Sequence, residues 1–212
     1  MSVRFPEEEF HKLRKLLLVY GWGHQILLTN VNIVYEDFKH FQDGNPIESI
    51  RSRIKTPESI ADKLQRWDID LTVENAREHI KDIAGIRIIC TYARDIPRLA
   101  ELLRKMPNVN VTCEKDYVSS PKQSGYRGYH LYTEVPVFFS GIVENIPVEI
   151  QIRTAAMDFW ATLEHRAKYK YKQHIPEHLS DELVKCADTI ADIDKRMFTV
   201  QCIISKLNND EV

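Results

Sequence analysis

The sequence predicts an α+β fold: one mixed β-sheet flanked by helices, with helical extensions at both ends. Three observations lead there. β-Branched runs of strand length, AGIRIIC and PVEIQIR, alternate with short helical patterns through the middle of the chain. The first forty or so residues read as helix. In the last part apolar residues recur at three- and four-residue steps: Leu183, Ala187, Ile190, Met197, Val200, Ile204 and Leu207. With 212 residues, 43% of them hydrophobic and 28% charged, the chain is long enough to bury a core and fits a single domain. No repeat, low-complexity tract or long Gly/Ser/Pro linker divides it. The expected layout is one domain over 1–212, with a core at about 46–172, a helical arm at 7–43 and C-terminal helices at 177–208.

Taken in order, Glu7 to Phe41 is helical, with a bend or break expected at Gly21 and Gly23 and a stop at Asp43-Gly44. A short strand follows at Ile50 to Ile54. Thr56-Pro57 then supplies an N-cap and a first-turn proline for a helix reaching about Arg66. Thr72 can cap a short helix ending near Lys81, and AGIRIIC is the buried strand after it, with Asp82 at the junction. A helix from about Ile96 to Met106 leads to the strand NVNVTC, the polar loop SSPKQSGYRG and the extended run HLYTEVPVFF. PVEIQIR closes the alternation, and from Thr154 the chain turns helical.

A formal net charge of −2 gives no global basic field, so nucleic acid and anionic membranes are not expected partners, and any anion site must be local. Cys90, Cys113, Cys186 and Cys202 have neither C-x-x-C nor metal-finger spacing and are expected to be buried, reduced thiols. The acidic start MSVRFPEEEF is unlike a secretory signal and no stretch is as long and apolar as a membrane span, so the expected location is cytoplasmic.

Alternation along PVEIQIR puts Val148, Ile150 and Ile152 on one face and Glu149, Gln151 and Arg153 on the other. A half-solvated surface strand reads the same way, so the context must decide. Asp82 stands at the mouth of a buried strand that carries Arg87, a guanidinium needing a partner or a ligand there. Carboxylates so placed suit Mg²⁺ in phosphoryl transfer, which takes one or two of them plus substrate phosphates. In RIKTPESIADK, Arg53 and Lys55 alternate on a strand while Ser59 and Lys63 lie four apart on the next helix. In KQSGYRGYH, Tyr126 offers a ring for stacking a base and Lys122 a charge for phosphate, beside His130. A charged surface helix and an ordinary Gly-containing turn are the plain alternatives for these two segments.

Together, RIKTPESI, KDIAGIRIIC, KDY with KQSGYRGYH, and VEIQIRTAAMDFWATLEHRAKYK resemble, in that order, the synthetase domain of RelA/SpoT-type GTP pyrophosphokinases, specifically the small alarmone synthetases. The resemblance spans about Ile50 to Lys172. It implies a nucleotidyltransferase-like sheet and a Mg²⁺-dependent transfer of pyrophosphate from ATP to the 3′-hydroxyl of GDP or GTP. By the same resemblance Arg53 and Arg87 sandwich the adenine, and Lys55, Ser59 and Lys63 face the ATP phosphates. Asp82 and Glu149 hold the metal, with Glu149 also the base for the 3′-hydroxyl. Tyr126 stacks the guanine, and Lys115, Lys122, His130 and Gln151 surround the acceptor.

Asp158 stands where some relatives carry an asparagine for guanine recognition, and a carboxylate can accept from the same base donors. Lys12 and Lys39 are the candidates for a lysine that some members bring to ATP. A homotetramer is implied, with the arm and the C-terminal stripe as contacts. Longer members carry a hydrolase domain whose metal site needs a His-Asp dipeptide, absent from this sequence, so synthesis without hydrolysis is expected. No G-x-x-x-x-G-K-[ST] loop occurs either. Pyrophosphorylation of an adenine nucleotide or a tRNA 3′ end, and an inactive nucleotide-binding regulator, are the competing readings.

Overall fold

A computed structural model describes residues 4–42, 44–170 and 176–210. The expected extension of the core to 172 runs past this second segment. Five strands form one sheet in the order β1-β2-β5-β4-β3: β1 (Ile47–Ile54), β2 (Ala84–Cys90), β3 (Asn110–Asp116), β4 (Tyr129–Phe139) and β5 (Ile142–Thr154). β2 and β5 run parallel and every other pair is antiparallel, which makes the sheet mixed as expected. Among the described residues six α-helices surround it: α1 (Glu7–Phe41), α2 (Pro57–Arg66), α3 (Val73–His79), α4 (Ile96–Arg104), α5 (Ala155–Lys170) and α6 (Glu177–Asp210).

Local signals placed the middle elements well. The Thr56 and Thr72 side chains accept from the backbone N–H of Ser59 and Asn75, fixing the starts of α2 and α3. The β4–β5 hairpin closes through Ser140-Gly141, both at positive φ, as a two-residue turn with the right twist requires. That turn brings β5 in five residues before the expected PVEIQIR. Pro136 and Pro147 interrupt nothing, because β3 stops pairing β4 at Glu134 and β2 starts pairing β5 at Glu149.

The expected break at Gly21 and Gly23 does not occur. α1 runs unbroken for 35 residues, about 52 Å at the α-helical rise. A Cβ on Gly23 would lie 2.7 Å from the Ile146 Cβ, so this glycine lets the helix rest directly on β5. Leu13, Tyr20, Leu27, Val31 and Phe38 line the buried face of α1, and their burial outweighs the roughly 1 kcal/mol that a mid-helix glycine costs. Ile86, Ile88, Leu131, Val148, Ile150 and Ile152 complete this core.

α6 packs only in part. Leu183, Ala187 and Ile190 meet Trp160 and Ala161 of α5, whereas Met197, Val200, Ile204 and Leu207 are exposed. The cysteines also depart from expectation. All four are free, but only Cys90 is buried; Cys113 lies on the edge strand β3 and Cys186 on the outer side of α6. No helix among the described residues is long and apolar enough to cross a membrane.

Candidate active site

The site is written across the second face of the sheet in two transverse rows. Strand register aligns Arg53, Gly85, Glu149, Tyr132 and Cys113 in one row, and Arg51, Arg87, Gln151, His130 and Lys115 in the next. Five strands therefore deliver cations to both flanks and a carboxylate to the middle. Gly85 leaves bare backbone between Arg53 and Glu149. Arg53 and Arg87 become diagonal neighbours on one face, at a cross-strand spacing of about 7 Å that suits two guanidinium planes either side of a flat ring.

Two clefts open on this face. The smaller, about 210 Å³, is lined by Arg51, Arg53, Asp82, Arg87, Glu149 and Gln151 among others. The larger, about 590 Å³, is walled by Lys63, Lys115, Lys122, His130 and Tyr132, and again by Asp82, Glu149 and Gln151. These last three form the partition between the clefts.

Asp82 sits in the turn before β2, pinned by the Lys55 N–H donating to the Ile83 carbonyl. Lys55 Nζ donates to Asp82 Oδ2 at 2.6 Å and Lys63 Nζ to Oδ1 at 2.7 Å. Burial opposes ionisation of Asp82, but the two lysines outweigh it and hold the carboxyl down at about 2. Glu149, only 4% exposed, accepts from His130 Nδ1 and from Gln151 Nε2, each at 2.8 Å. Burial alone would raise its carboxyl; His130 and Gln151 keep it below the ordinary value, while the charge of Asp82 works against them. The two carboxylates therefore feel each other across the partition.

Four expected site residues line neither cleft: Lys55, which reaches the partition only through its bond to Asp82, and Ser59, Tyr126 and Asp158. Ser59 lies exposed on the first turn of α2, its N–H bound to Thr56. Tyr126 stands behind His130, with the Lys122 ammonium 5.0 Å from its ring centre. Asp158 is buried at the start of α5 and accepts from Arg51, Arg87 and Arg153 at 3.2, 2.9 and 3.1 Å. It is thus tied to the arginines of the smaller cleft and not placed on the wall of the larger one. Lys12 and Lys39 line neither cleft and pair with glutamates of their own helix.

Arg51, Tyr132 and Arg153 join the site without having been assigned to it. Alternation two residues before Arg53 was the signal for Arg51, and Arg153 shares the face of Glu149. Tyr132 had no local signal, because only the β4–β5 register sets it opposite Glu149.

A mixed sheet with two adjoining cation-lined clefts and a shared pair of carboxylates suits a protein that handles two phosphate-bearing ligands side by side. The chain belongs to the RelA/SpoT family: the profile of the region found in RelA/SpoT proteins matches residues 52–174. It is 40% identical to the GTP pyrophosphokinase YwaC of Bacillus subtilis (strain 168), over 87% of this chain and 88% of that protein. Identity to YjbM of the same organism, also a GTP pyrophosphokinase, is 36% over 84% and 81% of the two chains. Among solved structures, the small alarmone synthetase 1 from Bacillus subtilis bound to its product pppGpp superposes with a TM-score of 0.83. It has 33% identity and covers 91% of this chain and 98% of its own. Small alarmone synthetase 2 from the same organism gives 0.79 at 39% identity, with 89% and 97% covered.

Proposed function

We propose that the protein transfers the β,γ-pyrophosphate of ATP to the 3′-hydroxyl of GDP or GTP, releasing AMP and forming guanosine tetra- or pentaphosphate. One observation carries this reading: Asp82, Glu149 and Gln151 belong to both clefts, so reactive atoms of two nucleotides can meet at that partition. The relatives' names as GTP pyrophosphokinases, and the pppGpp bound to small alarmone synthetase 1, support it.

In this reading ATP occupies the smaller cleft, its adenine between Arg53 and Arg87, with its phosphates reaching Lys55, Lys63 and the Ser59 hydroxyl. The guanine nucleotide occupies the larger cleft, with Lys115, Lys122, His130 and Gln151 around its ribose and phosphates. Its base stacks on Tyr126 in place of the Lys122 ammonium, and Asp158 acts on the ATP side through Arg87. The 3′-oxygen attacks the β-phosphorus, the bond between that phosphorus and the α–β bridging oxygen breaks, and AMP leaves. Glu149 takes the hydroxyl proton. A carboxylate held low is a weak base at equilibrium, so its work is to orient the hydroxyl and remove the proton as attack proceeds.

Asp82 and Glu149 fit a magnesium ion: both are hard oxygen donors on the same partition, they repel each other, and Asp82 is kept ionised by its lysines. When bound there, the ion would neutralise charge on the transferring phosphates. We place the reaction in the nucleotide-rich cytoplasm and assign the protein to a homotetramer. The exposed half of α6 and the outer face of α1, where Leu18, Trp22, Ile26 and Ile33 are bare, are apolar surfaces of the kind that symmetric assembly covers. Incubating the protein with ATP and Mg²⁺ and, separately, GDP, GTP, ADP or tRNA tests the assignment. Product with the guanine nucleotides is expected, and transfer only to ADP or tRNA would overturn it.

A further inference from the structure

The loop tyrosine beside the site is held by its oxygen, not only by its ring. Arg153, 6% exposed on β5, sends Nη2 to the Tyr126 hydroxyl at 2.8 Å and Nη1 to Asp158. The same hydroxyl lies 2.5 Å from His130 Nε2, and His130 Nδ1 lies 2.8 Å from Glu149 Oε1. Gly128 leaves the room this takes, since a Cβ there would come within 2.9 Å of the hydroxyl.

Hydrogen-bond polarity gives this chain a direction. A guanidinium can only donate, so Arg153 occupies a lone pair of the tyrosine oxygen, and the O–H is left to donate to His130 Nε2. An accepting Nε2 leaves the ring proton on Nδ1, aimed at Glu149. If Nε2 carried the proton instead, the hydroxyl would have two donors and no acceptor among the described residues. Burial raises the Tyr126 phenol above its ordinary value, which keeps the proton on the oxygen that must donate it.

We infer that the Tyr126 hydroxyl is a positioning group for Glu149: by donating to Nε2 it anchors the His130 ring whose Nδ1–H in turn fixes the carboxylate that receives the 3′-hydroxyl proton. This rests on the reading of Glu149 as the base and adds a role separable from stacking. Guanine stacking needs the ring of Tyr126, and orientation of the base needs its oxygen. The hydroxyl also connects the two substrates' sides, because Arg153 reaches Arg87 through Asp158.

Tyr126→Phe keeps the ring and deletes the oxygen. Long-range ¹H–¹⁵N correlation on the uniformly ¹⁵N-labelled full chain, without nucleotide, reads the His130 tautomer directly. Wild type should show Nδ1–H with Nε2 accepting; the Phe variant should keep Nδ1–H, because ionised Glu149 still accepts there, but its Nε2 resonance should move as the hydrogen bond from the tyrosine is lost. In steady-state assays with ATP, Mg²⁺ and GDP, kcat should fall about tenfold through loss of base alignment while the KM for GDP stays within about twofold. An Nε2–H tautomer in wild type overturns the inference, whatever the variant does. A Phe variant with wild-type kcat also overturns it. Glu149→Gln keeps the two layers apart: full activity there would remove the base, and this inference with it, even with His130 in the Nδ1–H form.

Discussion

Asp82 makes the sharpest stability prediction, because two lysines and one carboxylate concentrate a measurable linkage. Its folded pKa of about 2 lies below the ordinary 3.8. That difference, at 1.36 kcal/mol per unit, makes ionised Asp82 worth about 2 kcal/mol of folding stability at neutral pH. The sign follows from the direction of the shift. A depressed carboxyl contributes fully above its unfolded value and loses the contribution as pH falls through the folded one, so the window runs from about pH 4 to about pH 2. At pH 3 roughly half should remain. Asp82→Asn deletes the effect and leaves Lys55 facing an amide, so at pH 7 the variant should unfold at lower urea by about 2 kcal/mol. Urea titrations of both proteins at pH 7, 4 and 3 follow the gap, which should narrow with acid. A gap that stays constant from pH 7 to pH 3 would refute the linkage, as would a ¹³C titration of the Asp82 carboxyl at its ordinary pKa.

Arg87→Ala should weaken ATP more than GDP, and Arg87→Lys should not restore it, since an ammonium lacks the stacking plane; paired binding titrations decide, and full rescue by lysine would point to a phosphate contact. Tyr126→Ala removes the ring and should raise the KM for the guanine nucleotide by the equivalent of about 1–3 kcal/mol while ATP binding changes little. The shared fall in kcat expected from loss of the hydroxyl does not bear on this, but an equal rise in KM for both substrates in steady-state kinetics would contradict it. Light scattering should give a mass well above the 24.8 kDa chain, about four times it, and Met197→Glu with Ile204→Glu should yield smaller soluble species. A wild-type monomer, or unfolded double variant, would remove α6 from the interface.

Much of the sheet was legible because its signals are local. The cap and proline at Thr56-Pro57 and the β-branched run of β2 each depend on a few neighbouring residues. The polar face of β5 was equally plain, since alternation needs no partner strand. What escaped depended on distant contacts. Gly21 and Gly23 read as a break until Ile146 is seen under Gly23. Cys113 reads as a core thiol until β3 proves to be the sheet edge. Asp158 offers a free carboxylate in sequence, yet three arginines from β1, β2 and β5 converge on it. The rows across the sheet are of the same kind, because the strand order sets Gly85 between Arg53 and Glu149.

In the proposed reaction pyrophosphate crosses the partition from one nucleotide to the other, with Glu149 handling the acceptor's proton. A single-turnover reaction with ATP labelled separately at the α- and γ-phosphates, plus Mg²⁺ and GDP, tests it directly. Wild type should release the α-label as AMP and carry the γ-label to the guanosine product. Glu149→Gln should bind both nucleotides and form product at least about a hundredfold more slowly. Release of ADP in place of AMP, or a Gln variant turning over at the wild-type rate, would contradict the account.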